Sequence, residues 1–507
     1  MYSRRDFLKK TCAFAAASTL PLSLNSYCSD NENKPNIIYF FVDDMGWQDT
    51  SEPFHTEKTA LNRRYHTPNM ERLAKDGMKF TQAYACAVCS PSRISLMTGL
   101  NSARHRITNW TLRKNKSPDN PHPKIEPPKW NLNGLSPVPG VERTLHAVTL
   151  PMLLKKSGYR TIHVGKAHFG AKDTLGNDPR NLGFDINIAG HAAGGPGSYH
   201  GEHNFSAAWR KGDRIWDVPG LDKYHGKDIH LTEALTQEAN KEVDQAVADN
   251  KPFYLYMSHY AIHAPWEKDK RFYQKYIDAG LDKFDATYAS MIEGMDKSLG
   301  DIMANVKRHG IDDNTIIVFM SDNGAPSQAD RNLPLRGHKL TPYEGGARVP
   351  MIVKWPGVVK QGSTCDQCVI IEDIFPTFLE MAGVKQYQQI GGKIDGVSFT
   401  PLLKNKNHKS RERAFFWHFP HNYGQTPFSS VRKGDWKLIY HHIDRKLELF
   451  NLKNDISETK DLSASNKDKL KTMTTILNDY LVEVDALMPI DKATGKAIEY
   501  PGKALSQ

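Results

Sequence analysis

Four short polar clusters stand where they could act together. Asp43-Asp44 closes the apolar run Ile37-Ile38-Tyr39-Phe40-Phe41-Val42, and Asp322-Asn323 closes a second run that starts at Thr315. Lys166 and His168 follow a third run, Tyr159 to Val164; His259 and His263 follow a fourth, Phe253 to Ser258. Asp43, Asp44, Asp322 and Asn323 offer only oxygen, and oxygen donors select hard cations such as Ca²⁺ or Mg²⁺ rather than zinc. Adjacent carboxylates at the end of a buried strand are costly without a counter-ion, so a cation is their natural partner. A solvated acidic loop is the alternative. His263, in His-x-Pro, has the residue type for proton transfer, with a packed role as its alternative.

A fifth stretch, Cys89-Ser90-Pro91-Ser92-Arg93-Ile94-Ser95-Leu96-Met97-Thr98-Gly99, has the build of a loop feeding a helix. Pro91 suits the first helical position, Ser90 can cap, and Gly99 can stop the helix. Cys89 then sits just ahead of the N-terminus, where the backbone dipole stabilises an oxyanion or a deprotonated nucleophile. Arg93, about one turn in, can point back at the same spot. The competing reading is a buried cysteine beside a structural helix.

To share one cleft, these groups need strands whose carboxyl ends face the same way. An α/β fold does this, because its ligands bind at the carboxyl ends of the strands. The continuous apolar run from Asn36 suits a strand buried on both faces of a parallel sheet. Helices are expected at Thr67 to Gly77, Thr149 to Gly158, Leu231 to Ala248 and about Ala286 to His309, and a further strand at Pro350 to Trp355. Residues 101–145 are rich in Pro, Asn, Lys, Arg and Trp and show little periodicity. His105, Trp110 and Arg113 could face a sugar there, or simply pack at the surface. The Gly-rich segment 189–201 adds His191 and His200 as candidate substrate contacts. It is not a phosphate loop, since the G-x-G-x-x-G and Walker spacings are absent. After about Thr400, short strands and a final helix with Leu470, Met473, Leu477, Leu481 and Val484 on one stripe indicate a smaller antiparallel sheet with one packed helix. The expected division is 1–30, 31–400 and 401–507.

The string Cys89-x-Pro91-Ser92-Arg93, followed by Thr98-Gly99, resembles the signature of the formylglycine-dependent (type I) sulfatases, arylsulfatase-like members of the alkaline phosphatase superfamily. Tyr343-Glu344-Gly345-Gly346-Ala347-Arg348-Val349-Pro350 and Leu449-Phe450-Asn451-Leu452 share its flavour, and the resemblance runs from about Lys34 to Leu487. It implies an alkaline-phosphatase-like fold with a large mixed, mostly parallel sheet. It implies that a separate maturation enzyme oxidises Cys89 to formylglycine (3-oxoalanine), which is then hydrated. One hydroxyl would attack sulfur, and loss of the other's proton would expel sulfate. Calcium, rather than magnesium, would be held by Asp43, Asp44, Asp322, Asn323 and an oxygen of modified Cys89. Arg93 would steady the hydrate, Lys166 and Lys339 would clamp sulfate oxygens, His168 would take the hydroxyl proton, and His263 would be the general acid. Segments 105–136 and 181–204 resemble bacterial polysaccharide sulfatases, which implies a sulfated glycan as substrate. Two alternatives stay open: a phosphodiesterase or phosphonate hydrolase of the same superfamily, and a non-catalytic sulfoglycan-binding protein.

The chain of 507 residues is long enough for a large core, and 39% hydrophobic with 24% charged residues is ordinary for a globular protein. Its formal charge of +10 favours anionic substrates. The lack of a long Lys/Arg run or a known motif argues against nucleic acid as partner. Ser3-Arg4-Arg5-Asp6-Phe7-Leu8-Lys9-Lys10 and the mildly apolar stretch Thr11 to Leu24 resemble a twin-arginine export signal, so a periplasmic or secreted destination is expected. That stretch is too short, and too broken by Pro21, to span a membrane. Cys28 as a lipidation site is disfavoured by Tyr27 before it. Cys365 and Cys368 make half a zinc site at most; a local disulfide or plain packing fits better. Cys86 has no assignable role.

Overall fold

In the computed structural model, residues 34–328, 331–384, 393–405 and 407–506 are described. The export-signal segment, with Cys12 and Cys28, lies outside them. The architecture follows from strand alternation. Ile37, Tyr39 and Phe41 of the strand Asn36–Val42 enter one hydrophobic cluster, while Ile38, Phe40 and Val42 enter another on the opposite face. A strand apolar on both sides must lie inside a sheet covered on both sides.

That sheet has nine strands. In order across it run Ser363–Cys365, Met78–Tyr84, Arg348–Lys354, Thr315–Ser321, Asn36–Val42, Phe253–Ser258, Arg160–Gly165 and Ile186–Ile188, with Val369–Ile370 also pairing Met78–Tyr84. The neighbours of Asn36–Val42 are both parallel to it; Arg348–Lys354 is antiparallel to both of its own. Val42 pairs with Ser321, and Gly165 pairs with Ser258, so four strands end at the same edge. Helices Pro68–Asp76, Leu231–Ala248 and Lys283–Arg308 cover one face. Cys89–Thr98, Leu150–Lys156 and Ile374–Met381 cover the other.

The four-stranded antiparallel sheet Ala414–Phe419, Phe428–Lys433, Trp436–His441 and Leu447–Asn451 sits in the same body as the large sheet. Phe415, Trp417, Phe419, Ile439 and Phe450 join the large sheet's cluster; Val431, Leu438, Tyr440 and Leu449 instead meet Leu470, Met473, Leu477 and Leu481 of helix Lys467–Glu483. Each such buried aliphatic is worth about 1.5–3 kcal/mol of transfer free energy. A buried ionic cluster adds a polar tie between the sheets. Lys437 Nζ lies 3.0 Å from Glu344 Oε1 and 2.9 Å from Glu458 Oε1. Glu458 Oε2 accepts from the Glu344 backbone N–H at 2.7 Å, and Tyr84 donates to Glu344 Oε2 at 2.6 Å.

Local readings differ in places. The signature helix begins at Cys89, with Val88 as its N-cap, because the Ser90 hydroxyl accepts from the Thr111 N–H (3.2 Å) instead of capping. Gly99 ends it at φ 69°, as its type suggests. Thr67 does not cap its helix either: its hydroxyl is engaged by Thr50 and Ser51. Gly77 at that helix's end is extended, and a Cβ there would meet Val353 O at 2.5 Å, so close approach explains the glycine. Helices Ala60–Arg64 and Lys270–Asp278 stand outside the expected elements, although Phe272, Tyr273, Tyr276 and Ile277 of the second recur at helical spacing. Cys365 and Cys368 are both free thiols, which sets aside a disulfide between them; Cys368 donates to Gln82 Oε1 at 3.4 Å.

Candidate active site

The four strand ends carry their polar residues to one place. One carboxylate oxygen each from Asp43, Asp44 and Asp322 lies within 4.8 Å of the others, all buried. Asn323 Nδ2 donates to Asp44 Oδ1 at 2.7 Å. Lys166 Nζ lies 2.5 Å from Asp43 Oδ2 and 3.9 Å from Asp322 Oδ2, and Lys339 Nζ lies 2.5 Å from Asp44 Oδ1. Burial first, and then Asp322, push the Asp43 carboxyl well above the usual carboxylate range, against the pull of Lys166. Burial also acts against ionised Asp44, yet Lys339 and His263 hold its carboxyl well down. Asp43 Oδ1 and Asn323 Oδ1 are buried with no hydrogen-bond partner. Bare buried acceptors cost free energy, and a donor set of four oxygen-bearing side chains with two bare oxygens fits a hard divalent cation.

Arg93 is fully buried behind this cluster. Its Nε and Nη2 donate to Asp322 Oδ2 at 3.0 and 2.8 Å, and its Nη1 donates to Lys166 O and Ser258 Oγ. The guanidinium therefore orients Asp322, with Phe41 beneath it at 5.0 Å. It does not hydrogen-bond Cys89.

Cys89, in the first turn of its helix, faces His168, with Sγ 3.4 Å from Nδ1. On its other side His168 Nε2 donates to Thr111 O at 2.7 Å. That bond fixes the ring proton on Nε2 and leaves a lone pair on Nδ1 aimed at residue 89. Burial, with Lys166 and Arg93 nearby, pushes the His168 pKa well down, so the neutral acceptor form is the resident one. Burial also raises the Cys89 thiol, an effect that Lys166 and Lys339 oppose. His263 donates through Nδ1 to Ala264 O at 2.7 Å, which turns Nε2 toward Asp44 Oδ2, 3.8 Å away. Burial lowers the His263 pKa to about 4, with Asp44 pulling the other way. His259 is apart from this group. It is buried on Ser298 Oγ (2.9 Å) beside Phe40.

A cavity of about 380 Å³ opens onto these groups; Asp44, Cys89, His168, His263 and Lys339 form its floor. Its walls include four aromatic rings, Trp110, Trp216, Trp266 and Tyr423, beside aliphatic and polar residues such as Leu340, Gln328 and His338. Of the five residues proposed from sequence to touch a sugar, only Trp110 lines it. His105 is buried on Ser95 Oγ and takes the Ile107 N–H, so its ring is used up holding the loop after the signature helix. Arg113 is paired with Asp213. His191 lines a different recess, and its carbonyl supports the His168 N–H at 3.1 Å. His200 lies outside the cavity lining, its backbone bridged to His230 and its ring against His203. Trp216, Trp266 and Tyr423 were missed. Trp266 stands one residue past His263-x-Pro265, which could have drawn attention to it; the other two sit in loops with no local signal.

The sulfatase family model matches residues 35–384, and the C-terminal model of N-sulphoglucosamine sulphohydrolase matches residues 338–486. A sulfatase of Formosa agariphila is 29% identical and covers 99% of each chain. N-acetylgalactosamine-6-sulfatase of Mus musculus is 31% identical over 77% of this chain and 71% of its own. Among solved structures, Ps i-CgsB in complex with k-i-k-neocarrahexaose superposes with a TM-score of 0.71 at 30% identity, covering 88% of this chain and 93% of that one.

Proposed function

The chain belongs to the sulfatase family, and from that premise we propose a calcium-dependent enzyme that removes sulfate from a sulfated glycan through a formylglycine made from Cys89. As a sulfuric ester hydrolase it acts on sulfate esters of carbohydrates. This removes the non-catalytic sulfoglycan-binding alternative. A relative named for N-acetylgalactosamine 6-sulfate and a neighbour that binds a neocarrahexaose favour an oligosaccharide substrate.

The observation that carries the proposal is the placing of residue 89. Its thiol meets the lone pair of a neutral histidine, and it lines the same cavity as Asp44 of the oxygen-donor cluster, in which two oxygens are bare. Asp43, Asp44, Asp322 and Asn323 would hold calcium. Calcium accepts six to eight oxygens in flexible geometry, whereas magnesium favours fewer protein ligands and retains water. Bound there, the ion would draw charge from a sulfate oxygen. A hydrated formylglycine at position 89 supplies two hydroxyls, one for attack on sulfur and one to lose its proton. His168 Nδ1 is placed to receive that proton. Lys339 and Lys166 supply positive charge where the sulfuryl oxygens gain negative charge. As general acid at the leaving oxygen, His263 must first take up a proton on Nε2, a charged form that the Asp44 carboxylate 3.8 Å away favours against the burial of the ring. Arg93 acts through Asp322, as a positioning residue. The aromatic walls offer flat faces for sugar rings.

The remaining parts of the proposal are a formylglycine-generating maturation enzyme as partner, export to the periplasm or beyond by the twin-arginine-type segment, and a catalytic region to about residue 400 followed by a C-terminal one. Among the described residues no helix is long and apolar enough to cross a membrane. Turnover of para-nitrophenyl sulfate against bis(para-nitrophenyl) phosphate, an aryl phosphate diester, tests the reaction. Preference for the sulfate ester is expected. Preference for phosphate would favour the phosphodiesterase alternative.

A further inference from the structure

Trp216 of the catalytic cavity closes the short turn Arg214–Trp216. Arg214 and Asp217, which flank that ring's stretch of chain, line an outer groove of about 530 Å³. Trp209 lines this groove too. It is 48% exposed, the one exposed tryptophan among the described residues. One face of its indole is stacked on His203, with centroids 4.5 Å apart and planes 12° from parallel. His203 is itself held by Ser198 Oγ at 3.0 Å from Nδ1. The result is a stacked aromatic pair on the groove lining, with the Trp209 indole half exposed.

Around this pair stand groups that suit sugar hydroxyls. Asn204 gives its Oδ1 to the Gly226 N–H (3.0 Å) and keeps its amide N–H free, and the exposed Asp222 carboxylate has no partner among the described residues. Glu202 is paired with Lys270 at 2.7 Å and Asp217 with Arg214 at 2.9 Å. The one unpaired charge on the lining is thus negative, which repels a sulfate and accepts a hydroxyl. Aromatic platforms bind the C–H face of a sugar while the rim bonds its hydroxyls.

We infer that this groove is a second subsite, which binds an unsulfated sugar of the same glycan whose sulfated residue enters the catalytic cavity. The inference rests on the sulfated-glycan reading and extends it: the substrate is an oligosaccharide, with neutral sugars beyond the residue that loses sulfate.

The test compares kcat and KM of the full chain on para-nitrophenyl sulfate, and on the disaccharides and hexasaccharides of chondroitin sulfate and of κ/ι-carrageenan. For at least one glycan, kcat/KM should rise by about tenfold or more from disaccharide to hexasaccharide. Trp209→Ala should remove that gain through KM, with kcat kept within about twofold, and Trp209→Phe should restore most of it. Asp222→Asn, at an exposed position, repeats the test if Trp209→Ala folds poorly. Equal kcat/KM for both lengths, equal loss for both lengths in Trp209→Ala, or aryl sulfate turnover with neither hexasaccharide cleaved would overturn the subsite. Absence of aryl sulfate turnover as well would instead defeat the sulfatase chemistry on which it rests.

Discussion

At the scale of single residues, charge in a buried place is the recurring cause. Asp44 stays ionised because Lys339 stands 2.5 Å away, and the same lysine lines the cavity floor. Lys339→Ala should therefore lower kcat on an aryl sulfate by about 10²–10³-fold, the usual effect of losing one donor aimed at developing charge. Circular dichroism of the variant checks that the fold survives. Glu372 shows the other face of burial. It is 4% exposed; burial first, then Asp373, lift its carboxyl from 4.5 to about 8, against a hydrogen bond from Asn101. Between those values the native state keeps a proton that the unfolded chain has lost. Stability should then fall as pH rises from about 4.5 to about 8 and level off above, by a few kcal/mol at most. Urea unfolding across that window should show the decline in the wild type and a flatter profile in Glu372→Gln. Asp43, Asp44, Lys166, His168, His263 and Asp322 could be picked out in sequence because each follows an apolar run. His105, Arg113, His191 and His200 could not be sorted from them: the His105 ring holds Ser95 and loop backbone, Arg113 is paired with Asp213, and His191 and His200 are placed by backbone bonds, none of which a local pattern reveals.

At the scale of elements, the signature helix must end on time for residue 89 to stay in place. Gly99 ends it at φ 69°, and a Cβ there would meet Ile394 Cγ2 at 2.8 Å and Phe375 Cδ1 at 3.0 Å. Gly99→Ala should cost about 1–3 kcal/mol in urea unfolding, from left-handed strain plus overpacking. Strands and long helices were legible because hydrophobic period and length agree there. Leu231–Ala248 and Phe253–Ser258 have the bounds the sequence suggests. Ala60–Arg64 and the 3-10 turns between 175 and 224 are too short to show a period, whereas Lys270–Asp278 carries one in Phe272, Tyr273, Tyr276 and Ile277 and still stands outside the expected elements.

At the scale of the whole molecule, parallel pairing of Asn36–Val42 with both neighbours gathers residues more than 250 positions apart into one cluster. The C-terminal region completes the site: Tyr423 and Gly424 wall the cavity, and Glu458 and Lys437 hold Glu344 on the segment that follows Lys339. The carboxylate cluster that calcium would join links several strands, so its occupancy should report on global stability. Dialysis against a chelator should lower the melting temperature by about 3 °C and calcium should restore it, because a ligand at about 100 times its Kd adds about 2.7 kcal/mol and a chain of this length unfolds with an entropy of about 1 kcal/mol/K. All of this geometry is arranged around residue 89, and the mass of the peptide carrying that residue, from active protein purified from its native host, tests the account most directly. The account predicts an aldehyde or its hydrate in place of the thiol; an unmodified cysteine in protein that still turns over aryl sulfate would contradict it.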